Sequence, residues 1–333
     1  MATVQTDDSG AVPTQTPRSR AAIGSTTRTA QSLIDIASRY RHIGVRPRMP
    51  DFAAWIDGVD LTRPIADDVK AELRQALWDF EVIFFEAQRI TADQQVALAS
   101  VFGQPAPGSY FERSPEHPNV ELITNGPDRP PNIDRWHTDI TWLKYPALGT
   151  VIQITETPPA GGNTCWASTS KAFAALSPGL QAYLEGLTAT HTWEISAFRE
   201  ALQRQGEAQL FNAIRAFPPV QHPVVLQHPD SGRKCLYVNR AFTKRIDGVD
   251  YRESQAMLRF LSDWITRPDF MISHSWEAHG IAVWDNRSTQ HYATADYWPH
   301  RRVNRRVVFE APDSPQAGLN VHDMIMNGRP MEL

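Results

Sequence analysis

Apolar residues recur along the chain at two spacings, one typical of amphipathic helices and one typical of short strands. Residues 66–80 carry an apolar stripe at helical spacing, formed by Val69, Leu73, Leu77 and Phe80. Residues 91–103 begin with Thr91 and Gln94 at the spacing of a helix-capping box and end at Gly103. These two patterns predict two helices in the first third of the chain.

Two more helices are predicted further along. Residues 177–187 begin with Ser177 as N-cap and Pro178 at the first helical position, and their spacing predicts that three leucines are buried, Leu180, Leu184 and Leu187. A fourth helix is predicted around residues 252–265, where the apolar face consists of Met257, Leu258, Leu261, Trp264 and Ile265.

Short β-type segments lie between these helices and are separated by turn-rich stretches. The predicted strands are residues 81–87, 120–124, 149–155, 223–227, 235–239, 280–284 and 303–311. They do not alternate regularly with helices, so a doubly wound parallel sheet fits poorly. The pattern predicts a mainly β fold with some α, either a β-sandwich or a jelly roll, clad by helices.

Composition divides the chain into three parts. Residues 1–30 contain few large apolar side chains and many Ser, Thr, Gln, Pro and Ala, which predicts a mobile tail. Residues 39–50 form a basic, proline-containing connector that either is solvated or contacts the body or an acidic ligand. We therefore predict a tail and connector at 1–45, a single compact domain at 46–312 and a C-terminal extension at 313–333.

Charge and cysteine content narrow the classes of protein. The 333 residues carry a net charge of −4 at pH 7, so no basic excess favours nucleic acid or an anionic membrane. We find no apolar segment long enough to span a membrane and no signal-peptide pattern. The two cysteines, Cys165 and Cys235, predict no disulfide framework and suit a reducing compartment. A cytoplasmic protein is expected.

Candidate chemistry begins in the stretch RWHTDITWL, residues 135–143. If this stretch is a strand, His137 and Asp139 project to the same face, because side chains two positions apart do so. One imidazole and one carboxylate are two members of the 2-His-1-carboxylate triad of Fe(II) oxygenases. A hydrogen-bonded His–Asp pair without metal is the alternative. The best candidate for the second imidazole is His291, which follows the predicted strand 280–284 on the return segment.

Two arginines near the end of the domain add a second element. In an extended strand, Arg302 and Arg306 share one face about 13 Å apart, at about 3.3 Å per residue. A buried arginine needs a negative partner, so the pair predicts either two bound anions or two structural carboxylates. Thr164 follows the flexible Gly161-Gly162 pair, and its hydroxyl is suited to donate to a carboxylate that an arginine also holds.

Four motifs together resemble the TauD/TfdA family, the Fe(II)- and 2-oxoglutarate-dependent dioxygenases related to taurine dioxygenase. They are WHTD at 136–139, GGNT at 161–164, LYVN at 236–239 and WDNRSTQHYA at 284–293. The resemblance covers residues 47–312 and implies a double-stranded β-helix, or jelly roll, with helices outside. It implies His137, Asp139 and His291 as the metal ligands that bind Fe(II). It further implies that Thr164 and Arg302 bind 2-oxoglutarate and that Arg306 binds an acidic substrate group.

The implied activity is hydroxylation of a small anionic organic substrate, such as an alkyl sulfate, a sulfonate or an aryloxyalkanoate. O2 is the second co-substrate, 2-oxoglutarate is decarboxylated to succinate, and the hydroxylated product either persists or collapses to an aldehyde. One alternative is a tailoring hydroxylase or desaturase of secondary metabolism in the same family. Another is a metal-binding jelly-roll protein without oxygenase activity. Relatives suggest a homo-oligomer, a dimer or a tetramer.

The sequence departs from the taurine enzymes around the expected substrate pocket. Gly108 stands where those enzymes have a sulfonate-binding histidine, with Tyr110 or Phe111 as the nearby aromatic residue. Ile133 replaces a substrate-binding asparagine, and Trp193 stands where a phenylalanine is expected. These residues predict a substrate-binding site for a different, larger anion than taurine.

Overall fold

The structure is a computed structural model that describes residues 38–106, 111–132 and 135–314, together with Val321, Met324 and Ile325. The predicted tail at 1–30 and most of the predicted C-terminal extension lie outside these described residues. Its helices are α1 (Asp67–Phe80), α2 (Ala92–Ala99), α3 (Thr169–Ala174), α4 (Pro178–Glu185), α5 (Ala197–Gln205), α6 (Glu207–Ala216) and α7 (Tyr251–Ile265).

Seventeen strands make up the β structure of the described residues. The first nine are β1 (Gly44–Met49), β2 (Phe52–Asp57), β3 (Val82–Phe85), β4 (Gln104–Ala106), β5 (Glu112–Arg113), β6 (Glu121–Asn125), β7 (Gly149–Glu156), β8 (Thr164–Ser168) and β9 (Thr188–His191). The others are β10 (Val220–Pro223), β11 (Val225–Gln227), β12 (Lys234–Leu236), β13 (Thr243–Ile246), β14 (Met271–His274), β15 (Ile281–Asp285), β16 (Thr289–Ala293) and β17 (Arg302–Glu310).

The architecture is mixed α/β and is dominated by one large sheet. Its strand order is β1-β2-β3-β15-β7-β17-β6-β5, with β4 attached to β17. Every pairing in this sheet is antiparallel except that of β2 with β3. The poor fit to a doubly wound parallel sheet, predicted from the irregular order of helices and strands, is therefore confirmed.

The large sheet buries both of its faces. Helices α1 and α2 cover one face, where Leu73, Leu77 and Leu98 pack with Val151 and Val307. A small antiparallel sheet of order β14-β8-β16 lies against the other face. The apolar layer between the two sheets includes Phe84, Ile154, Trp166, Ile272 and Trp284. Strands β7, β15 and β17 are consequently central, and side chains of β16 and β17 reach the space between the sheets.

The four predicted helices are present. Thr91 and Gln94 form the predicted capping box at the start of α2. Helix α4 begins at Pro178 as predicted, but Ser177 makes no side-chain cap. Of the three leucines predicted to be buried, only Leu184 is fully buried, and Leu187 lies beyond the end of the helix. Helices α5 and α6 were not predicted; in α6, the exposed Phe211 and Ile214 blur the amphipathic pattern.

All seven predicted strands are present, with ends that shift by a few residues. Cys165 and Cys235 are buried, free thiols, as the absence of a disulfide framework predicts. Within the described part of the chain, no helix is long and apolar enough to cross a membrane.

Gly149 at the start of β7 generates a stability prediction. A Cβ there would lie 2.3 Å from both the Phe309 ring and the Trp284 carbonyl oxygen, so Gly149→Ala must displace a central strand. We expect the free energy of unfolding to fall by about 1–3 kcal/mol in chemical denaturation. Gly186→Ala is the control, because nothing lies within 4 Å of its Cβ position. Equal stability of the two variants would contradict the close packing of β7.

Candidate metal centre and ligand cavities

Two histidines and one aspartate converge between the sheets. His137 and His291 are joined by two backbone hydrogen bonds. The His137 amide nitrogen lies 3.0 Å from the His291 carbonyl oxygen, and the His291 amide nitrogen lies 2.8 Å from the His137 carbonyl oxygen. The Nε2 atoms of His137 and His291 lie 3.7 and 3.8 Å from Asp139 Oδ1. One ligand atom from each of the three buried residues lies within 4.8 Å of the others. The structure thus brings together the three residues predicted as metal ligands.

The local conformation differs from the prediction. His137 takes part only in an isolated bridge with His291, and Asp139 lies in a turn, so the strand expected over WHTD is wrong. The turn continues through Ile140, whose φ of 46° is in the left-handed region. Thr138 Oγ1 donates to the Thr289 carbonyl at 2.8 Å and ties the turn to β16. Asp139 reaches the histidines because the chain turns here.

Asp139 is held as a carboxylate. Burial opposes its ionisation, but Arg306, the two histidines and a 3.1 Å hydrogen bond from Thr150 Oγ1 outweigh burial and lower its pKa to about 2. The Thr150 hydroxyl contacts Oδ2, whereas Oδ1 faces the histidines. The charge and orientation of Asp139 both suit a metal cation.

Both imidazoles suit the same cation. The Nδ1 atom of His137 lies 2.7 Å from the Arg135 carbonyl oxygen, so Nδ1 donates to that oxygen, and Nε2 faces Asp139. Burial, followed by the proximity of His137, lowers the pKa of His291 to about 3, which keeps it neutral near pH 7. Two imidazoles and one carboxylate are the donor set of non-haem Fe(II) centres. The residues therefore fit an iron ion.

A cavity of about 420 Å³ opens beside this cluster. Its wall includes both histidines of the cluster, His137 and His291. It also includes the residues that the sequence predicted for 2-oxoglutarate and substrate, namely Thr164, Arg302 and Arg306. These residues come from a turn and from three different strands, β8, β16 and β17. The cavity therefore joins the metal cluster to both predicted arginines.

Arg302 is buried without a carboxylate partner among the described residues. Its Nη2 donates to Thr164 Oγ1 at 3.3 Å, and its Nε has no hydrogen-bond partner in the described part of the chain. Burial lowers the pKa of Arg302, and the nearby Tyr297 opposes this shift only in part. Since an uncompensated buried charge is costly, Arg302 is suited to receive an anion from the cavity.

The Gly161-Gly162 pair shapes the space around Arg302. Both glycines have positive φ, 75° and 69°, which side-chain-bearing residues rarely adopt. A Cβ on Gly162 would lie 3.2 Å from the Cδ of Arg302 and 3.3 Å from the Tyr297 ring. The amide of Gly162 donates to Asp296 at 2.9 Å. The glycine pair thus lets the loop pack directly on the Arg302 stem.

Arg306 has a different environment from Arg302. Its Nε and Nη2 lie 2.7 and 2.6 Å from Oε2 of Glu121, and its Nη1 lies 3.3 Å from Asp139 Oδ1. The Phe111 ring covers the guanidinium at 4.9 Å. Of the two outcomes predicted for inward arginines, pairing with structural carboxylates therefore describes Arg306, whereas Arg302 is left to bind an anion.

A second cavity, of about 120 Å³, adjoins the metal cluster at His137 and Asp139 and is also lined by Arg306. Most of its wall is apolar, with aromatic rings and one aliphatic chain from Phe111, Ile140, Trp142, Phe198 and Phe242. The polar residues Asn132, Arg135 and Ser196 also line it. This cavity has the character of a site for an apolar organic group.

The residues predicted to bind substrate are only partly assembled here. Phe111 lines both cavities. Trp193 lines neither cavity, because it is fully buried behind Phe198 and its Nε1 donates to the Phe217 carbonyl at 3.0 Å. Trp193 therefore supports the wall instead of forming it. Tyr110 and Ile133 lie outside the described residues.

Several residues of the site were missed by sequence reasoning. Glu121 was assigned only to a strand, although it lies opposite Arg306 in the β6–β17 register. Thr150 contacts Asp139, and Trp276 donates to Thr164 Oγ1 at 2.9 Å. An acidic residue inside the apolar VELIT segment was a usable signal, because buried carboxylates need partners.

Comparisons with known proteins agree with this site. The family described as "Taurine catabolism dioxygenase TauD, TfdA family" matches residues 44–308. An alkylsulfatase from Acinetobacter baylyi is 31% identical over 268 residues, 76% of this chain and 80% of that protein.

Two solved structures are also similar. A putative alpha-ketoglutarate-dependent taurine dioxygenase from Burkholderia xenovorans has 32% identity and a TM-score of 0.70, covering 83% of this chain and 96% of that one. AAD-2, solved with Mn(II) and N-oxalylglycine, has 26% identity and a TM-score of 0.68, covering 82% and 99%.

Fold, metal cluster and sequence together define the class of protein. The chain belongs to the TauD/TfdA family. The predicted family, and with it the class of 2-oxoglutarate-dependent dioxygenases that use Fe(II) and O2, is confirmed.

Metal binding at the cluster can be tested without turnover. Mn(II) should raise the melting temperature of the wild-type protein by several degrees, because a ligand that binds only the folded state stabilises it. His291→Ala should lose this rise, whereas His300→Ala should keep it, since His300 is exposed and outside the cluster. A full Mn(II)-dependent rise in the His291→Ala variant, measured by differential scanning fluorimetry, would contradict the ligand assignment.

Proposed function

We propose that the chain is an Fe(II)- and 2-oxoglutarate-dependent dioxygenase that hydroxylates an organic substrate with an apolar body and an acidic group. The observation that carries this proposal is the shared cavity, which is lined by the two histidines of the metal cluster, His137 and His291, and by the uncompensated Arg302. His137, Asp139 and His291 would bind Fe(II). The iron would supply oxidative decarboxylation of 2-oxoglutarate to succinate and transfer of one oxygen atom to the substrate.

Arg302 and Thr164 would bind the distal carboxylate of 2-oxoglutarate. The guanidinium has an unpartnered Nε, and the Thr164 hydroxyl already lies 3.3 Å from Nη2. A carboxylate at this point would receive charge-assisted hydrogen bonds from both groups. Trp276, which donates to Thr164 Oγ1 at 2.9 Å, would fix the hydroxyl so that its hydrogen points to the carboxylate.

The apolar cavity would hold the carbon to be hydroxylated. It contacts the metal cluster at His137 and Asp139, and its aromatic walls would exclude water from the reacting group. Arg306 lines both cavities, so the acidic group of the substrate would lie on that side. Alkyl sulfates, sulfonates and aryloxyalkanoates combine an apolar body with such a group, and the similar alkylsulfatase supports the first of these.

We also propose that the two packed sheets form a double-stranded β-helix. Residues 46–312 would form the catalytic domain between a tail and a C-terminal extension. Tyr110, Ile133 and Trp193 would influence the substrate-binding site. The protein would act in the cytoplasm as a dimer or tetramer. A tailoring hydroxylase or desaturase is the second candidate, and no contact in the site favours it.

An anaerobic titration tests the proposal. Fe(II) with 2-oxoglutarate should produce a weak visible charge-transfer band, and a missing band would contradict the assigned function. Arg302→Ala should weaken 2-oxoglutarate binding about 10- to 100-fold, the value of a charged hydrogen-bonding partner. Arg301→Ala is the control, because Arg301 is exposed and pairs with Glu156. Equal affinities in the two variants would show that Arg302 is not the anchor.

A further inference from the structure

Glu121 is a buried acid that the proposed chemistry does not use. It lies in β6 with none of its surface exposed, directly opposite Arg306 in the register of β6 and β17. Its Oε2 accepts from Nε and Nη2 of Arg306 at 2.7 and 2.6 Å, and its Oε1 accepts from the Phe111 amide at 3.0 Å. The carboxylate therefore joins the arginine to the wall of the apolar cavity.

This ion pair changes what Arg306 offers to a substrate. Two of its nitrogens are directed to Glu121, a third faces Asp139, and Phe111 covers one face of the guanidinium. Two carboxylates thus surround one guanidinium in a buried setting, where charges are only weakly screened. An anion placed against Arg306 meets the repulsion of Glu121 as well as the attraction of the arginine, and Glu121 keeps this effect when a metal ion binds Asp139 and offsets its charge.

The surrounding wall offers the substrate a different source of affinity. Phe111, Trp142, Phe198 and Phe242 present aromatic surface to the cavity. Burying an aromatic group against such rings is favourable without any charge. The remaining cation of this cavity, Arg135, is exposed, and exposed ion pairs contribute little.

We propose that Glu121 is a specificity-determining residue that weakens the anion clamp of Arg306 and shifts substrate recognition from the acidic group to the apolar body. The inference rests on the proposed function for the identity of the cavity as the substrate site. The pair of Glu121 and Arg306 selects substrates with an aromatic or bulky aliphatic body, and it disfavours small, strongly anionic molecules. Glu121 acts through Arg306 and does not touch the reacting atoms.

The test compares an anion with a neutral molecule of the same shape. Benzenesulfonate and methyl phenyl sulfone differ by one sulfonate oxygen that a methyl group replaces. Their dissociation constants are measured by calorimetry on protein loaded with Mn(II) and 2-oxoglutarate, which prevents turnover. Wild-type protein should bind the two within about threefold of each other, since a compensated arginine adds little.

Glu121→Gln should change this ratio, because it removes the charge and keeps an acceptor for Arg306. We expect benzenesulfonate to bind about tenfold tighter than to the wild type, with the sulfone within about twofold. Glu112→Gln is the matched control. Glu112 is an exposed carboxylate on the neighbouring strand β5, next to Phe111, and its removal should leave both affinities unchanged.

Each other outcome overturns the proposal. A wild-type preference for benzenesulfonate of tenfold or more would show that Arg306 is a strong clamp, and this measurement stands even if the variant does not fold. An unchanged ratio in Glu121→Gln would show that Glu121 does not set the specificity. Binding of neither probe to wild type or variant would contradict recognition through the aromatic wall.

The loading step separates this inference from the proposed function. If Mn(II) and 2-oxoglutarate do not bind, the proposed function fails. The ratio of the two probes on the unloaded protein then still tests Glu121, because its pair with Arg306 is present without the metal.

Discussion

The reciprocal backbone hydrogen bonds between His137 and His291 are the contact on which the site depends. These bonds, of 3.0 and 2.8 Å, join a turn to strand β16 and bring together two residues, 137 and 291, that are 154 positions apart in the sequence. A bridge of this kind fixes both Cα atoms, so the two rings lie 4.1 Å apart at their centroids. The left-handed turn at Ile140 then returns Asp139 to the same point. A metal-competent donor set follows from backbone geometry before any ion is bound.

The two arginines on one face of β17 differ in charge compensation and therefore in what they can bind. Arg306 is paired with Glu121 and Asp139, whereas the side-chain partners of Arg302 among the described residues are Thr164 and Tyr297, neither of them a carboxylate. The unpaired arginine is the one that an incoming dicarboxylate would satisfy. The paired arginine shapes the apolar cavity and lowers the pKa of Asp139. Two arginines four positions apart thus differ in whether a carboxylate compensates their charge.

Much of this arrangement could be predicted from the sequence. Apolar residues at helical spacing and short β-type segments predicted which parts of the chain are helices and which are strands. The long motif around His291 indicated the class of chemistry. The strand over WHTD was wrong because its conformation is set by tertiary contacts, the bridge to His291 and the hydrogen bond from Thr138 to Thr289. Glu121 was missed as a partner of Arg306 because strand register across 185 residues is invisible to local patterns. Trp193 was placed in the cavity wall instead of the core behind it, because wall and core positions have equal hydrophobicity and the sequence does not distinguish them.

A crystal structure with Mn(II) and N-oxalylglycine tests the central claim most directly. The anomalous signal of Mn(II) should lie between Nε2 of His137, Nε2 of His291 and the Asp139 carboxylate. The oxalyl end should chelate the metal, and the far carboxylate should contact Arg302 and Thr164. A metal bound elsewhere, or a far carboxylate that contacts Arg306 in place of Arg302, would contradict the account.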